Sequence, residues 1–398
     1  MNDSHRSFQL EQYLHSDCLI EEQVGPPNVE PIDAAEVDSY RKSTYLSYES
    51  FLRNNLSKHN SLRKHEWKRD FSSVENYLVS VESKRDMLKK MLGFWIEPDR
   101  REEVNIIEKK LIRAEQGFDV YRLLFEITEG VHTYAIELVP ETEGTHPGLL
   151  VQHGYGGSPE LVCGFCQQAN MEDYSYRSLG IRAVKRNYHV IAVHHPSGFG
   201  FSEETIASIP GFEDRYAYGK NRLHRLALLQ NSTLFGLDML ASSRGIDILL
   251  QNDDVEKDKI GMYGLSQGGQ SALYLPALDR RIKASVCSAY FNNRIKKLIG
   301  PYKGVTYLDS LEETQFYPNV LKWFFDSDIA SLIIPRAFAV EAGEKDTSVD
   351  YDLALEEFGD VAKYYDRLHL SEKVAFIGHR YGHISATKKA FDFIEKNL

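Results

Sequence analysis

The feature that most constrains the fold is an alternation of short apolar runs and helix-like segments beyond residue 147. The apolar runs lie at 148–153, 188–194, 259–266, 282–290, 336–341 and 374–378. The helix-like segments lie at 223–250, 267–278, 351–365 and 386–397. Strands that alternate with helices are typical of a mostly parallel sheet covered on both faces. The sequence therefore predicts an α/β fold with a mostly parallel central sheet.

The residues before this alternation have two other patterns. Apolar residues recur at helical spacing within 34–93, where Ser72 and Glu75 predict a capping box and Gly93 ends the last helix. From about residue 103 the period is two, as in 131–138, which predicts antiparallel strands. We therefore divide the chain into a helical N-terminal extension and a domain built on the sheet. The extension covers 1–100, and the domain covers 101–398 with an aromatic-rich insertion at 292–330.

The helices of residues 1–100 are amphipathic and need a surface for their apolar faces. We expect them to pack over the carboxyl end of the sheet or against a partner subunit. A homodimer is therefore one of the alternatives. The aromatic residues of the insertion have two interpretations, either packing of a cap or lining of a pocket. They are Tyr302, Tyr307, Phe316, Tyr317, Trp323, Phe324 and Phe325.

Charge and composition exclude several classes of protein. The net charge of −11 has the wrong sign for a surface that neutralises phosphates or anionic lipids. The first residues contain no long apolar run of a secretory signal, and the longest apolar stretch, 329–340, is too short to span a bilayer. Four cysteines argue against a disulfide-stapled scaffold. We therefore expect a cytoplasmic protein that binds neither nucleic acid nor membrane.

The strongest local signal is a GxSxG sequence centred on Ser266, with Gly264 and Gly268 two residues to either side. It follows an apolar run and precedes a helix-like segment, which is the context of a nucleophile elbow. The small residues allow a tight turn, and the start of the helix directs N–H groups at an oxyanion beside the serine. The alternative is an ordinary glycine-rich turn.

A second glycine-rich loop, 153–158, directly follows the apolar run 148–151. In the same architecture such a loop supplies one N–H group of an oxyanion hole. The predicted donors are the backbone N–H groups of Tyr155 and Gln267. The alternatives are an ordinary turn and a phosphate-binding loop. For the latter, the sequence has neither a following GK[ST] nor GxGxxG spacing.

A serine nucleophile needs a base and an orienting acid, which here follow it in the order Ser, Asp or Glu, His. Asp346 follows the predicted strand at 337–340 and is the expected acid, with Glu341 and Asp350 as rivals. His383 comes shortly before the terminal helix and is the expected base, with His379 as its rival.

Four motifs in this order, HGYGGS, GLSQGG, AGEKD and a GH before the last helix, resemble the α/β-hydrolase superfamily. The similarity covers about residues 100–398 and is to the dienelactone-hydrolase-like and acetyl-xylan-esterase-like branch. It implies a serine esterase with a triad of Ser266, Asp346 and His383. The chain lacks the RGQ sequence of true acetyl xylan esterases, and its histidine is not followed by Glu. The resemblance therefore leaves acetyl-sugar specificity open.

Together these patterns predict a serine carboxylic-ester hydrolase that acts on a small-molecule ester and needs no metal or organic cofactor. Cleavage of amides, as in prolyl-oligopeptidase-like peptidases, and cleavage of carbon–carbon bonds stay open because the same catalytic groups perform them. A non-catalytic binding protein on the same fold is the alternative of another class. Cys163 and Cys166 form a CxxC without a second pair, and we expect both to be packing thiols.

Overall fold

The structure is a computed structural model that describes residues 30, 32–165, 175–196, 216–300, 306–310, 312–385 and 387–398. Its internal contacts divide the chain into two compact units, Met1–Ser57 and Lys58–Leu398. A long helix, α1 (Ala34–Glu66), begins in the first unit and ends in the second. The boundary predicted at residue 100 stays a prediction.

The second unit is built on one sheet. Its strands in the described residues are β1 (Ile106–Glu115), β2 (Phe118–Thr128), β3 (Val131–Pro140), β4 (His146–Gln152), β5 (His189–Val193), β6 (Val255–Leu265), β7 (Ile282–Ser288), β8 (Ala337–Gly343) and β9 (Val374–His379). Their order across the sheet is β1-β2-β3-β5-β4-β6-β7-β8-β9. The first three strands pair antiparallel, β3 is antiparallel to β5, and every other pair is parallel. The predicted mostly parallel sheet and the antiparallel strands before it are confirmed.

Helices connect and cover these strands. After α1 they are α2 (Val74–Leu92), α3 (Pro159–Cys163), α4 (Leu179–Val184), α5 (Tyr216–Leu228), α6 (Leu234–Gln251), α7 (Gln267–Leu278), α8 (Arg294–Ile299), α9 (Val320–Trp323), α10 (Asp326–Ser331), α11 (Tyr351–Asp366) and α12 (Lys388–Asn397). Short 3₁₀ turns at Pro98–Arg100, Tyr307–Asp309, Glu313–Gln315 and Ser371–Lys373 complete the described elements.

Two predictions about helix ends are wrong. The segment 223–250 is two helices, because Thr233 begins α6 anew by accepting a hydrogen bond from the N–H of Gly236. The N-cap of α2 is Ser73 and not Ser72, since the Ser73 hydroxyl accepts the N–H of Asn76 at 3.1 Å. Cap geometry depends on backbone angles that the sequence pattern leaves uncertain by a residue or two.

Burial explains why the strands read as continuous apolar runs. Every residue of β5 and β8 is buried, because helices cover both faces of the parallel part of the sheet. Helix α7 is likewise buried along its whole length. The core therefore lies around β4–β8, the strands whose carboxyl ends carry the predicted site.

Helix α2 packs on the end of α7 that is remote from Ser266. The buried side chain of Arg85 donates to the carbonyl oxygens of Ala277 and Leu332, and the Tyr77 hydroxyl donates to the carbonyl oxygen of Ser331 at 2.9 Å. The expectation that residues 1–100 pack over the carboxyl end of the sheet or against a partner subunit stays a prediction.

Candidate active site

Ser266 lies at the turn between β6 and α7 with a φ of 61°, in the left-handed region that favours glycine. A Cβ atom at Gly264 would lie 2.0 Å from the carbonyl oxygen of Gly268. One at Gly268 would lie 2.1 Å from the carbonyl oxygen of Gln152. Both glycines of GxSxG are therefore required by backbone contacts, and the serine occupies a strained position of the kind that is common at functional sites.

The predicted oxyanion loop contacts this elbow. Strands β4 and β6 are parallel neighbours, so the loop after β4 and the turn after β6 meet at one edge of the sheet. A Cβ atom at Gly154 would lie 2.8 Å from Cβ of Ser266 and 3.3 Å from the backbone nitrogen of Gln267. The N–H of Ser266 itself donates to the carbonyl oxygen of Ser288 at 2.9 Å.

Gly154, the residue before Tyr155, is held through both of its backbone groups. Its N–H donates to the hydroxyl of Tyr176 at 2.8 Å. Nδ1 of His153 lies 3.1 Å from the carbonyl oxygen of Gly154. Nε2 of the same ring accepts the N–H of His195 at 3.2 Å. This arrangement requires a neutral His153 ring that carries its proton on Nδ1.

Burial keeps His153 neutral. Desolvation, with a smaller contribution from His194, lowers the pKa of His153 to about 3. Desolvation also lowers the pKa of His194 to about 4 and that of His195 well below its usual range. Three uncharged imidazoles therefore lie against the oxyanion loop.

Asp346 and His383 meet at the ends of β8 and β9. Nδ1 of His383 lies 2.8 Å from Oδ2 of Asp346, whose side chain is fully buried. The other carboxylate oxygen accepts the N–H groups of Ser348 at 2.7 Å and Val349 at 3.1 Å. The carboxylate is thus fixed by three donors and can orient the imidazole.

The rivals of these two residues have other contacts. Glu341 is buried on β8 and accepts the hydroxyls of Tyr263, at 2.5 Å, and Thr387. Asp350 caps α11 by accepting the N–H of Leu353 at 3.1 Å. The ring nitrogens of His379 have no hydrogen-bond partner among the described residues.

All five predicted site residues line one cavity of about 960 Å³: Tyr155, Ser266, Gln267, Asp346 and His383. The insertion at 292–330 supplies five more lining residues, Lys297, Tyr307, Ser310, Glu312 and Gln315. None of the described residues between 58 and 100 lines it. The structure thus brings the predicted residues together, while their catalytic roles stay predictions.

The aromatic residues of the insertion divide between the two interpretations. Tyr307 lines the cavity, whereas Tyr317, Phe324 and Phe325 are buried in the packing of the insertion. Tyr302 lies outside the described residues. The insertion therefore contributes both packing and cavity wall.

Sequence reasoning missed the residues that fasten the insertion to the site. Lys220 on α5 is 1% exposed, donates to both carboxylate oxygens of Glu312 at 2.8 Å, and lies 3.9 Å from the centre of the Tyr155 ring. His224 on the same helix contacts the carbonyl oxygen of Phe316 at 3.1 Å. In each pair the two residues are 92 positions apart in the sequence, so no local pattern could have indicated the contact.

No protein-family model matches the sequence. A protein of Bacillus subtilis (strain 168) described as "Putative hydrolase YtaP" is 28% identical over 260 residues, which are 64% of this chain and 77% of that protein. A Bacteroides fragilis structure described as a "putative acetyl xylan esterase" is 17% identical with a TM-score of 0.62, and the match covers 84% of this chain and 82% of that one. A glucuronoyl esterase from Solibacter usitatus is 12% identical with a TM-score of 0.55, covering 80% and 94%.

The chain has the α/β-hydrolase fold. The resemblance predicted from the four motifs is confirmed at this level. Within this fold, the nucleophile candidate follows β6, the acid candidate follows β8 and the base candidate follows β9.

Outside the cavity, the structure also accounts for one of the two cysteines of the CxxC sequence. Cys163 is buried in the apolar core, as predicted, and Cys166 lies outside the described residues. In the described part of the chain, no group of three or more His, Cys, Asp and Glu side chains could hold a metal ion. No helix in that part is long and apolar enough to cross a membrane.

Proposed function

We propose that this chain is a carboxylic-ester hydrolase that forms an acyl-enzyme on Ser266. The observation that carries the proposal is that the strained Ser266 shares one cavity with an imidazole hydrogen-bonded to a buried carboxylate. A nucleophile, a base and an orienting acid in one cavity are the parts that acyl transfer requires.

In the first half of the reaction, Oγ of Ser266 attacks the ester carbonyl carbon and gives its proton to Nε2 of His383. Asp346 holds Nδ1 of the same ring and stabilises the imidazolium. The N–H groups of Tyr155 and Gln267 stabilise the oxyanion, assisted by the positive end of α7. The carbon–oxygen bond to the alcohol then breaks, and the alcohol leaves with the proton from His383.

In the second half, a water molecule gives a proton to His383 and attacks the acyl carbon. Collapse of the second tetrahedral intermediate breaks the bond to Ser266, which recovers its proton from His383. The products are a carboxylic acid and an alcohol, and every proton passes through one imidazole.

The cavity suits a small polar ester. Polar residues line it, among them Tyr307 and Glu344, and their hydroxyl and carboxylate groups can bind a substrate rich in hydroxyl groups. Two of the similar structures are named as esterases. We extend the hydrolysis of esters to this chain, but we do not extend the substrates that those names contain.

The decisive experiment is reaction with a fluorophosphonate, followed by location of the adduct by mass spectrometry. We expect an adduct on Ser266 and hydrolysis of short-chain aryl esters, with anilide and peptide substrates turned over more slowly. Ser266→Ala should stay folded, take no adduct and lose turnover by about 10³-fold or more.

Two outcomes would favour other functions. Retention of more than about a tenth of the esterase activity in Ser266→Ala would show that another group is the nucleophile. Absence of both adduct and hydrolysis in the unaltered protein would favour a binding protein on this fold.

A further inference from the structure

Lys297 is a buried cation in the wall of the cavity. It lies on α8, the first helix of the insertion, and is 7% exposed. Its Nζ donates to the carbonyl oxygen of Ser348 and lies 4.8 Å from the centre of the Tyr307 ring. The ester-cleavage mechanism described above does not use it.

The carbonyl group that Lys297 contacts belongs to the same peptide unit as the N–H of Val349. That N–H donates to Oδ1 of Asp346 at 3.1 Å, and the N–H of Ser348 donates to the same oxygen at 2.7 Å. A hydrogen bond to the carbonyl side of a peptide polarises the unit and strengthens the bond made by its N–H side. The ammonium group therefore acts on Asp346 through one peptide.

We propose that Lys297 is a positioning residue that fastens the insertion to the turn 346–349 and holds Asp346 in the orientation that His383 needs. The proposal rests on the proposed function, because it assigns Lys297 a part in orienting the catalytic base. It also explains why the insertion begins with a helix against the loop after β8.

The charged surroundings of Lys297 make its charge sensitive to pH. Burial and, next, the positive charge of Arg294 lower the pKa of Lys297 to about 8, against the opposing effect of Asp346. Arg294 itself is paired with Asp326 of α10, at 3.0 Å from Nε. Above that pH a neutral amine would replace the ammonium group and donate a weaker hydrogen bond.

The test compares Lys297→Met and Lys297→Arg with Lys296→Met, a control on the exposed face of the same helix. With an aryl ester at pH 7, Lys297→Met should lower kcat about 10- to 100-fold and leave KM within about twofold, the effect expected of a lost charged hydrogen bond. Lys297→Arg should stay within about threefold of the unaltered protein, and Lys296→Met should match it.

The pH profile supplies a second measurement. In the unaltered protein kcat should fall about two- to fivefold as the pH rises from 7 to 9, since the charged donor becomes neutral. Lys297→Arg should show no such fall because arginine stays charged. This comparison decides the proposal even if Lys297→Met fails to fold.

Some results would overturn the proposal. They are a Lys297→Met kcat within threefold of the unaltered value, or identical pH profiles for Lys297→Arg and the unaltered protein. Failure of the ester-hydrolase proposal is recognised separately, because the unaltered chain would then take no fluorophosphonate adduct and hydrolyse no ester.

Discussion

His153 and His383 both follow strands at the carboxyl end of the sheet, but their surroundings differ. His153 is 1% exposed, contacts backbone groups on both ring nitrogens, and has its pKa lowered to about 3. The side chain of His383 is 27% exposed in the cavity and contacts a carboxylate. Burial without a counter-charge makes the first ring a fixed neutral support, whereas the second is open to the cavity and contacts an anion.

The same contrast separates two carboxylates at the end of β8. Glu341 points into the core, where the hydroxyls of Tyr263 and Thr387 hold it, whereas Asp346 contacts His383 at the cavity. Residue type therefore does not decide which histidine or acid can take part in catalysis. Access to the cavity and the identity of the partner decide it.

The largest effect should come from removing the imidazole at the cavity. We expect His383→Ala to lower kcat/KM at pH 8 by about 10³-fold or more, because the base that accepts the serine proton is lost. His379→Ala is the matched control and should cost about tenfold or less, since the ring nitrogens of His379 make no hydrogen bond to Asp346. A crippled His379→Ala beside a nearly normal His383→Ala would assign the base to the other histidine.

The two carboxylates provide the next comparison. Asp346→Asn should lower kcat by about 10²-fold or more, because the amide no longer stabilises the imidazolium. Glu341→Gln should instead lower the free energy of unfolding by about 1–3 kcal/mol, as a perturbed buried hydrogen-bonding site does, with a smaller change in kcat. Steady-state kinetics and urea unfolding of both variants measure the difference. The reverse pattern would make Glu341 the orienting acid.

A smaller effect on rate should follow from changing His153. His153→Leu removes both contacts that hold Gly154 and His195, so we expect kcat to fall about tenfold with little change in KM, as for a displaced oxyanion donor. His153→Asn keeps an N–H donor near the Nδ1 position and should recover part of the loss. If both variants have the unaltered kcat, His153 does not position the loop.

The last comparison concerns the pH dependence of stability. The folded-state pKa values of His153 and His194, about 3 and 4, lie below the usual value near 6.5, so protons bind to the unfolded chain first. Their contribution to stability is complete above about pH 6.5. It is lost as the pH falls towards 4 for His194 and towards 3 for His153, by up to about 1.4 kcal/mol per pH unit for each group.

His194→Phe tests this dependence on one of the two groups. Nδ1 of His194 is buried with no hydrogen-bond partner in the described residues, and the ring stacks on Tyr134 at 4.9 Å. We expect Phe to be tolerated at pH 7.5 and to make the fall in unfolding free energy between pH 6.5 and 5 shallower. The unfolding free energy of both proteins is measured in urea at several pH values. If it falls with pH equally in the variant and in the unaltered protein, His194 has the same pKa in the folded and unfolded states.

Much of the fold could be predicted because its signals are local. Strands buried on both faces give apolar runs, and the parallel part of the sheet follows from their alternation with helices. Gly264, Ser266 and Gly268 were recognisable because a tight turn between a strand and a helix needs small residues at fixed spacing. The helix ends at Ser73 and Thr233 were not, since a cap is fixed by backbone angles rather than by periodicity.

The sequence by itself determined the alternating elements, the elbow and the chain order of the candidate acid and base. Only the tertiary structure placed Asp346, and neither Glu341 nor Asp350, against His383. It alone brought Lys220 to Glu312 and Lys297 to Ser348, across 92 and 51 residues. The physical reason is range: backbone geometry repeats over a few residues, whereas burial, pKa shifts and paired charges depend on groups that only folding brings together.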